Sequence, residues 1–527
     1  MAGGLLQLVA YGAQDIYISG NPQITFWKIL YKRHTNFAME SIEVTFNGQA
    51  DFNKRVTAVI NRNADLMFRT YVQVVLPQID IGRNSAALGD IDAFRWVSYI
   101  GHRLINQVEL EIGGQRIDRQ YGDWMQIWTQ LSTDAGHITA LDSLVGNTHD
   151  LVLLKTRGGE SLDSTCSSTE VTQSCLSRSG TPAKTLYIPL QFWFCRNPGL
   201  AIPLIALQYH EVRINVTFET WENCVYAENA FTPRRPTAQS LAACSLYVDY
   251  VYLDTEERRR FAQQSHEYLI EQVQYTGAES ITSSSNKIQL NFNHPVKELL
   301  WVVQRDSFVD CSNPVWLSAV GGQQPFNYSD DFSTEGTIMS LLGRAAAGPQ
   351  STIGRASSTT ATGGPSVRAL GGNLSGTGAA PGQVSATGSD GAADAFDSSV
   401  NYLLAKVILA SGVRCEGKNP VEVGKLQLNG QDRFTDREGS YFDRVQPYQH
   451  HTRTPSQGIN VYSFALRPEE HQPSGTCNFS RIDKATLQLT VSVNTVVGGN
   501  TAQVRVYALN YNVLRVMSGM GGLAYSN

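Results

Sequence analysis

The sequence predicts an all-β chain of two tandem sandwiches with short helices and long loop insertions, and three observations point there. Apolar and polar residues alternate in short runs: Ile42, Val44 and Phe46 face one way while Glu43 and Thr45 face the other. That is the period-two pattern of a strand buried on one side. A hairpin signature appears twice, VELEIGGQRIDRQYGDWMQIWTQL at 108–131 and GKLQLNGQDRFTDREGSYFDRVQPY at 424–448. The third observation is length: 527 residues exceeds the roughly 250–300 beyond which one core stops growing.

In each copy of the signature an alternating strand (Leu110 and Ile112; Leu426 and Leu428) runs into Gly113-Gly114 or Asn429-Gly430. Such pairs accept the positive φ angles of a type I′ turn. Gly114 and Gln115 match Gly430 and Gln431. A helical pattern follows, with Trp124, Ile127, Trp128 and Leu131 on one face and Tyr441, Val445 and Tyr448 on its counterpart. Phe194, Pro198 and Pro203 reappear at one offset as Phe464, Pro468 and Pro473. Two matches in the same order argue for a duplicated domain.

Taken in order, residues 11–19 read as an extended arm. Asn21 and Pro22 open a short helix, as N-cap and first-turn proline, and Ile24, Trp27 and Tyr31 share its face. That face docks either beneath its own domain or on a neighbouring subunit. Strands are expected at 41–46, twice within 56–77, at 212–218, where Val212, Ile214, Val216 and Phe218 alternate with polar residues, and at 246–253. Residues 132–184 read as a long polar loop. Asp254 or Thr255 caps a charged helix that joins the two units, its acidic residues first and Arg258, Arg259 and Arg260 later, as the helix dipole favours. The second unit opens with strands at 268–275 and 287–304 and resumes at 402–409. It closes with the alternation Leu487, Leu489, Val491, Val493 and with strands at 504–507 and 513–516. Residues 334–395 are rich in Gly, Ser, Ala and Thr and should project from one end of that sandwich.

Composition excludes several functions. A net charge of −5 and a pI near 6.1 argue against a coat that neutralises nucleic acid through clustered basic residues. Residues 1–20 have neither a basic start nor a long apolar core, so no secretory signal is expected. No apolar run is long enough to span a bilayer. The eight cysteines are scattered without a C-x-x-C pair, which removes the usual zinc spacings, and free thiols are expected.

Motifs that carry chemistry fail one by one. GVRCEGKN at 412–419 nearly matches a phosphate loop, but Asn419 stands where a hydroxyl must hold magnesium and Pro420 follows. The ten histidines contain no H-x-H or H-E-x-x-H. Adjacent His450 and His451 would point to opposite faces of a strand, so they read as a polar loop rather than a metal site. Asp330-Asp331 and Glu469-Glu470 read as solvated pairs. There is no G-x-S-x-G elbow. No catalytic, metal-binding or cofactor-binding residue is therefore assigned, and no enzymatic activity is expected. Of four N-x-[ST] sequons, Asn327 and Asn373 lie in loops and could accept sugar, whereas Asn215 lies within a strand; Asn478 is the fourth. A large chain with two cores, long loops and no site reads as a building element.

Four stretches together resemble the major capsid proteins of nucleocytoplasmic large DNA viruses, of iridovirus and phycodnavirus type. They are YGAQDIYISGNPQITFWKILYKRHTNF (11–37), DTEERRRFAQQSHEYLIEQ (254–272), SFALRPEEHQPSGTCNFSRID (463–483) and NVLRVMSGMGGLAYSN (512–527). The resemblance implies a double jelly roll with eight antiparallel strands per domain. Residues 1–38 would form an arm, 39–254 the first jelly roll, 255–264 the linker, 265–517 the second, and 518–527 a tail. It also implies a homotrimer whose six sandwiches form a pseudo-hexagonal tile of an icosahedral shell. Its partners would be neighbouring capsomers and minor capsid proteins, with no direct nucleic-acid contact and at most indirect contact with an inner membrane. The virion would be its location, with synthesis and assembly in the host cytoplasm. Asn21, Pro22, Trp27 and Tyr31 would make assembly contacts, and 334–395 would face outward. A carbohydrate-binding sandwich, a lectin or a capsid spike, is the alternative from another class.

Overall fold

The computed structural model describes residues 3–24, 31–81, 88–152, 154–156, 180–229, 232–310, 323–330, 368–369, 372–373, 417–496 and 499–525. Sixteen strands build two sandwiches. The first uses β1 Phe37–Val44, β2 Arg55–Val59, β3 Leu66–Leu76, β4 Ile105–Ile112, β5 Gln115–Tyr121, β6 Lys184–Pro189, β7 Val212–Phe218 and β8 Ala243–Leu253. The second uses β9 His266–Ile281, β10 Ser285–Leu290, β11 Pro295–Arg305, β12 Val421–Leu428, β13 Gln431–Asp432, β14 Ile459–Ser463, β15 Ala485–Val491 and β16 Ala502–Met517.

Sheet order proves the duplication. The first sandwich pairs β1-β8-β3-β6 and β2-β7-β4-β5; the second pairs β9-β16-β11-β14 and β10-β15-β12-β13. Each strand of the second unit occupies the place of the strand eight earlier. Leu110 on β4 faces Ile214, and Leu426 on β12 faces Leu487, and all four are buried. Both hairpin turns take positive φ at both central residues: 59° and 84° at Gly113 and Gly114, 51° and 80° at Asn429 and Gly430. That is the type I′ geometry whose twist matches the flanking strands.

The second repeat is right in topology and wrong in register. Ile202–Pro203 adds to β3 and Cys477–Asn478 adds to β11, equivalent edges of the two sheets. Phe464, however, directly follows β14, whereas Phe194 stands five residues beyond β6. The matched prolines therefore do not coincide in space.

Other expectations need correction. Residues 11–19 are not extended: Ile16–Ser19 is a helical turn, preceded by a helix at Gly3–Val9. Asp15 shapes the bend, accepting from the Gly12 N–H at 2.7 Å while the Ser19 hydroxyl donates to its carbonyl at 2.6 Å. Residues 132–184 are not simply loop, because helices at Ile138–Val145 and His149–Val152 sink Val145, Leu151 and Val152 into the first domain. Strands expected at 504–507 and 513–516 are one sixteen-residue strand, β16. Val493 leaves the alternation because a short helix, Val493–Val496, begins there and exposes it. The expected tail at 518–527 is in part a strand, Met520–Leu523, which folds back onto β16. The expected strand at 402–409 lies outside the described residues. So does 334–395, apart from the paired segments Arg368–Ala369 and Gly372–Asn373.

Between the units, α1 (Gly122–Ser132) follows β5 and α2 (Thr255–Gln263) follows β8. Asp254 caps α2 by accepting from the Thr255 N–H at 2.8 Å, and Arg258 pairs with Asp65 at 3.0 Å. The charged joint is a structural connector tied to the first domain.

Candidate assembly surfaces and the inter-domain seam

Helix α1 is the centre of the seam. Its face of Trp124, Ile127, Trp128 and Leu131, legible from spacing alone, turns away from the first sandwich's core. It forms one buried cluster with Val273, Leu300, Val302, Ile459, Val461, Tyr507 and Leu509, on the outer face of the sheet β9-β16-β11-β14. Trp124 and Trp128 stack on each other, and Tyr275 stacks on Tyr507 at 4.8 Å between ring centres. Aromatic area of this size dominates an interface between domains.

Polar groups fix the register around this patch. Arg505 on β16 pairs with Asp123 at the start of α1 at 2.5 Å. Arg196 reaches Glu271 at 3.0 Å while its guanidinium lies 4.7 Å above the Trp128 ring, and Lys297 binds the same carboxylate at 2.6 Å. Asp118 accepts from the Val273 N–H across the seam at 3.1 Å, and burial pushes its carboxyl up to about 7 against those donors. The hairpin Met520–Leu523 reaches back as well: the Tyr209 N–H donates to the Gly519 carbonyl at 2.9 Å, and Leu514 and Val516 enter the first core. A buried, charge-locked seam makes the two sandwiches one rigid block.

Histidine chemistry differs from the expectation. His451 is not in a solvated loop but buried, with Nε2 3.0 Å from Glu298 and Nδ1 2.8 Å from Glu469. Burial opposes its charge, yet the two carboxylates outweigh that and raise it to about 9. Glu469 and Asp330 are consequently not solvated: Glu469 is held by His451 and Thr452, and Asp330 is buried and accepts from the Lys418 N–H at 2.6 Å. Asp331 lies outside the described residues. Among the described residues no cluster of His, Cys, Asp and Glu is arranged to hold a metal. Cys195, Cys224, Cys244 and Cys477 are free thiols, and burial raises the first three to about 12 or beyond.

The arm presents apolar groups to solvent. Asn21 takes φ 53°, a left-handed conformation rather than that of an N-cap, and Asn21 and Pro22 are exposed in irregular chain. Ile24 is 93% exposed and Tyr31 85%; Trp27 and the expected helix body lie outside the described residues. Asn327 is half-buried, donating to Gln324 Oε1 at 2.8 Å and accepting from Ser329. Asn373 lies in the short strand Gly372–Asn373. Asn215 is buried between Thr57 and Glu111.

Comparison with known proteins meets this architecture at every scale. A family model described as the large eukaryotic DNA virus major capsid protein matches residues 257–522, and one described as the major capsid protein N-terminus matches 25–254. The chain belongs to the major capsid proteins of large eukaryotic DNA viruses. It is 57% identical to the major capsid protein of Phaeocystis pouchetii virus and 38% identical to that of Paramecium bursaria Chlorella virus 1, in both cases across all of each chain. The solved structure of PBCV-1 VP54 aligns with a TM-score of 0.61 at 33% identity, covering 95% of this chain and 100% of that one. The Faustovirus major capsid protein shares the fold alone, with a TM-score of 0.62 at 13% identity. A major capsid protein is a structural component of the virion, and this one has the family's double jelly-roll fold.

Proposed function

We propose that three copies of this major capsid protein form a homotrimeric, pseudo-hexagonal capsomer, the tile of an icosahedral shell. The observation that carries this reading is the rigid seam between two sandwiches of identical strand order. Three such pairs present six similar corners, and a six-cornered block packs on a near-hexagonal lattice although its true symmetry is three-fold. The arm, with Asn21, Pro22, Trp27 and Tyr31, contacts neighbouring capsomers or minor capsid proteins; support comes from apolar side chains such as Ile24 and Tyr31 that its own domain leaves uncovered. The acidic balance suits a shell that does not touch the genome and meets an inner membrane only through other proteins. Assembly in the host cytoplasm and an outward position for 334–395 complete the reading, which assigns no catalytic role. Asn327 and Asn373 are the candidate sugar acceptors.

Native mass measurement of the full chain and of a variant lacking residues 1–35 tests both parts. Both proteins should be trimers, and only the full chain should build shells or sheets. A monomeric full chain at micromolar concentration would refute the capsomer, and normal shells from the truncated chain would refute the role of the arm.

A further inference from the structure

Beside the aromatic centre of the seam, the two sandwiches leave a cleft between them. It opens where β5 of the first runs next to β9 of the second, and it holds about 170 Å³. That is the room of roughly five or six waters, enough for one ring-sized unit and too little for a length of chain. Arg116, Asp118 and Arg119 on β5 form one wall. The turn between β10 and β11, with Asn291, Asn293 and His294, forms the other. Tyr121 and Tyr275 line it as well, meeting edge to face at 4.9 Å.

The second wall is fixed in place by the fold. Gln274 on β9 grips the turn: its Nε2 donates to the Asn293 carbonyl at 2.7 Å, and its Oε1 accepts from the Asn293 N–H at 2.9 Å. His294 takes φ 65°, a left-handed conformation that its Cβ disfavours. Its N–H donates to Ser480 Oγ at 2.8 Å and its carbonyl accepts from the Phe479 N–H at 3.1 Å, so the strained backbone is pinned. Strand β9 bends at the lip of the cleft, where its register shifts between Tyr275 and Ala278 around Gly277 at φ 115°.

Charge on the first wall is unbalanced. Glu109 is shared by three arginines, Arg119 at 2.6 Å, Arg55 at 2.8 Å and Arg116 at only 3.8 Å. One carboxylate cannot neutralise three guanidinium groups, and half-exposed Arg116 is the least satisfied of them. Asp118 offsets little of the excess. Its oxygens are taken by the Arg119 and Val273 N–H groups and by the Gln120 amide, and burial holds its carboxyl up at about 7. Facing this wall, the side-chain amides of exposed Asn291 and Asn293 make no hydrogen bond among the described residues. An arginine in want of an anion thus stands opposite two amides in want of hydroxyls, with tyrosine rings offering an apolar face between them.

We propose that this cleft binds an acidic sugar unit, one pyranose-sized polyol bearing a carboxylate or a phosphate. The anion lies on Arg116 and the hydroxyls on the Asn291 and Asn293 amides. Because each sandwich supplies one wall, the occupant ties the two units together and stabilises the folded block by mass action. The site is complete within one chain and does not depend on the capsomer.

The test uses the full chain, with glucuronate and glucose 6-phosphate as probes and glucose and inorganic phosphate as controls. At least one acidic sugar should bind saturably at millimolar concentration by titration calorimetry and raise the thermal midpoint as its concentration rises; which of the two does so separates a carboxylate from a phosphate. Arg116→Gln and Asn293→Ala change exposed positions, so both variants should fold, with circular dichroism as the check. Each should weaken binding at least about tenfold, the loss of one charge-assisted or amide contact, while Arg467→Gln, at an exposed arginine outside the cleft, should not. No saturable binding of either acidic sugar, or equal binding by both cleft variants, would overturn the site. Glucose binding as tightly as the acidic sugars would overturn the role of the anion, and inorganic phosphate doing so would overturn that of the sugar.

Discussion

His451 is buried between two carboxylates, one from β11 and one from the loop after β14. Because its folded pKa of about 9 lies above the unfolded value near 6.5, the clamp contributes its full stability below about pH 6.5. That stability is lost as pH rises through 9. The shift corresponds to roughly 3 kcal/mol. His451→Ala should therefore destabilise the second domain by roughly 3–5 kcal/mol at pH 6, since Glu298 would remain buried without its cation. The difference from wild type should shrink at pH 10; denaturant melts at the two pH values measure it, and a pH-independent difference would reject the clamp. None of this was legible in the sequence. His450-His451 and Glu469-Glu470 look like polar pairs in a loop, and Glu298, which makes the site, stands 153 residues away.

At the scale of elements, the strands and their turns were readable because each carries its own signal. Alternation placed β4, β7, β12 and β15, and the G-G and N-G pairs named both turns. The helical face at 441–448 was misread for a physical reason: residues 441–445 form a π-helical turn, which breaks the 3.6 period, so Phe442 is buried rather than Tyr441, Val445 and Tyr448 together. The two turns also differ in a way their sequences hide. A Cβ on Gly430 meets nothing within 4 Å, whereas one on Gly113 would lie 2.3 Å from His210 Nδ1, and that ring is held 2.9 Å from the Gly521 carbonyl. Gly430→Ala should cost about 1 kcal/mol, the strain of positive φ alone. Gly113→Ala should cost roughly 2–3 kcal/mol, adding displacement of His210 and its strand partner. Calorimetric midpoints would rank them, and equal losses would mean that the C-terminal hairpin yields freely.

For the whole molecule, duplication was visible in the sequence and the joining of the halves was not. Trp124, Ile127, Trp128 and Leu131 announce an apolar helix face, but one face is compatible with any partner, and only the fold shows that it belongs to the other sandwich. Rigidity of the block is thus a property of contacts between residues far apart in sequence, and Trp128 is where they converge. Its ring carries Arg196, whose other partner, Glu271, also holds Lys297. Trp128→Ala should cost roughly 3–5 kcal/mol through lost area and a cavity, and it also frees Arg196 to leave Glu271. Because that damage falls on the seam and not on either sandwich core, the two domains should unfold separately. Scanning calorimetry should resolve two transitions in the variant where wild type shows one, and shells assembled from it should be fewer and less regular. A single transition merely shifted downward would show that the polar ring of Asp123, Arg505 and Asp118 holds the block without its aromatic centre.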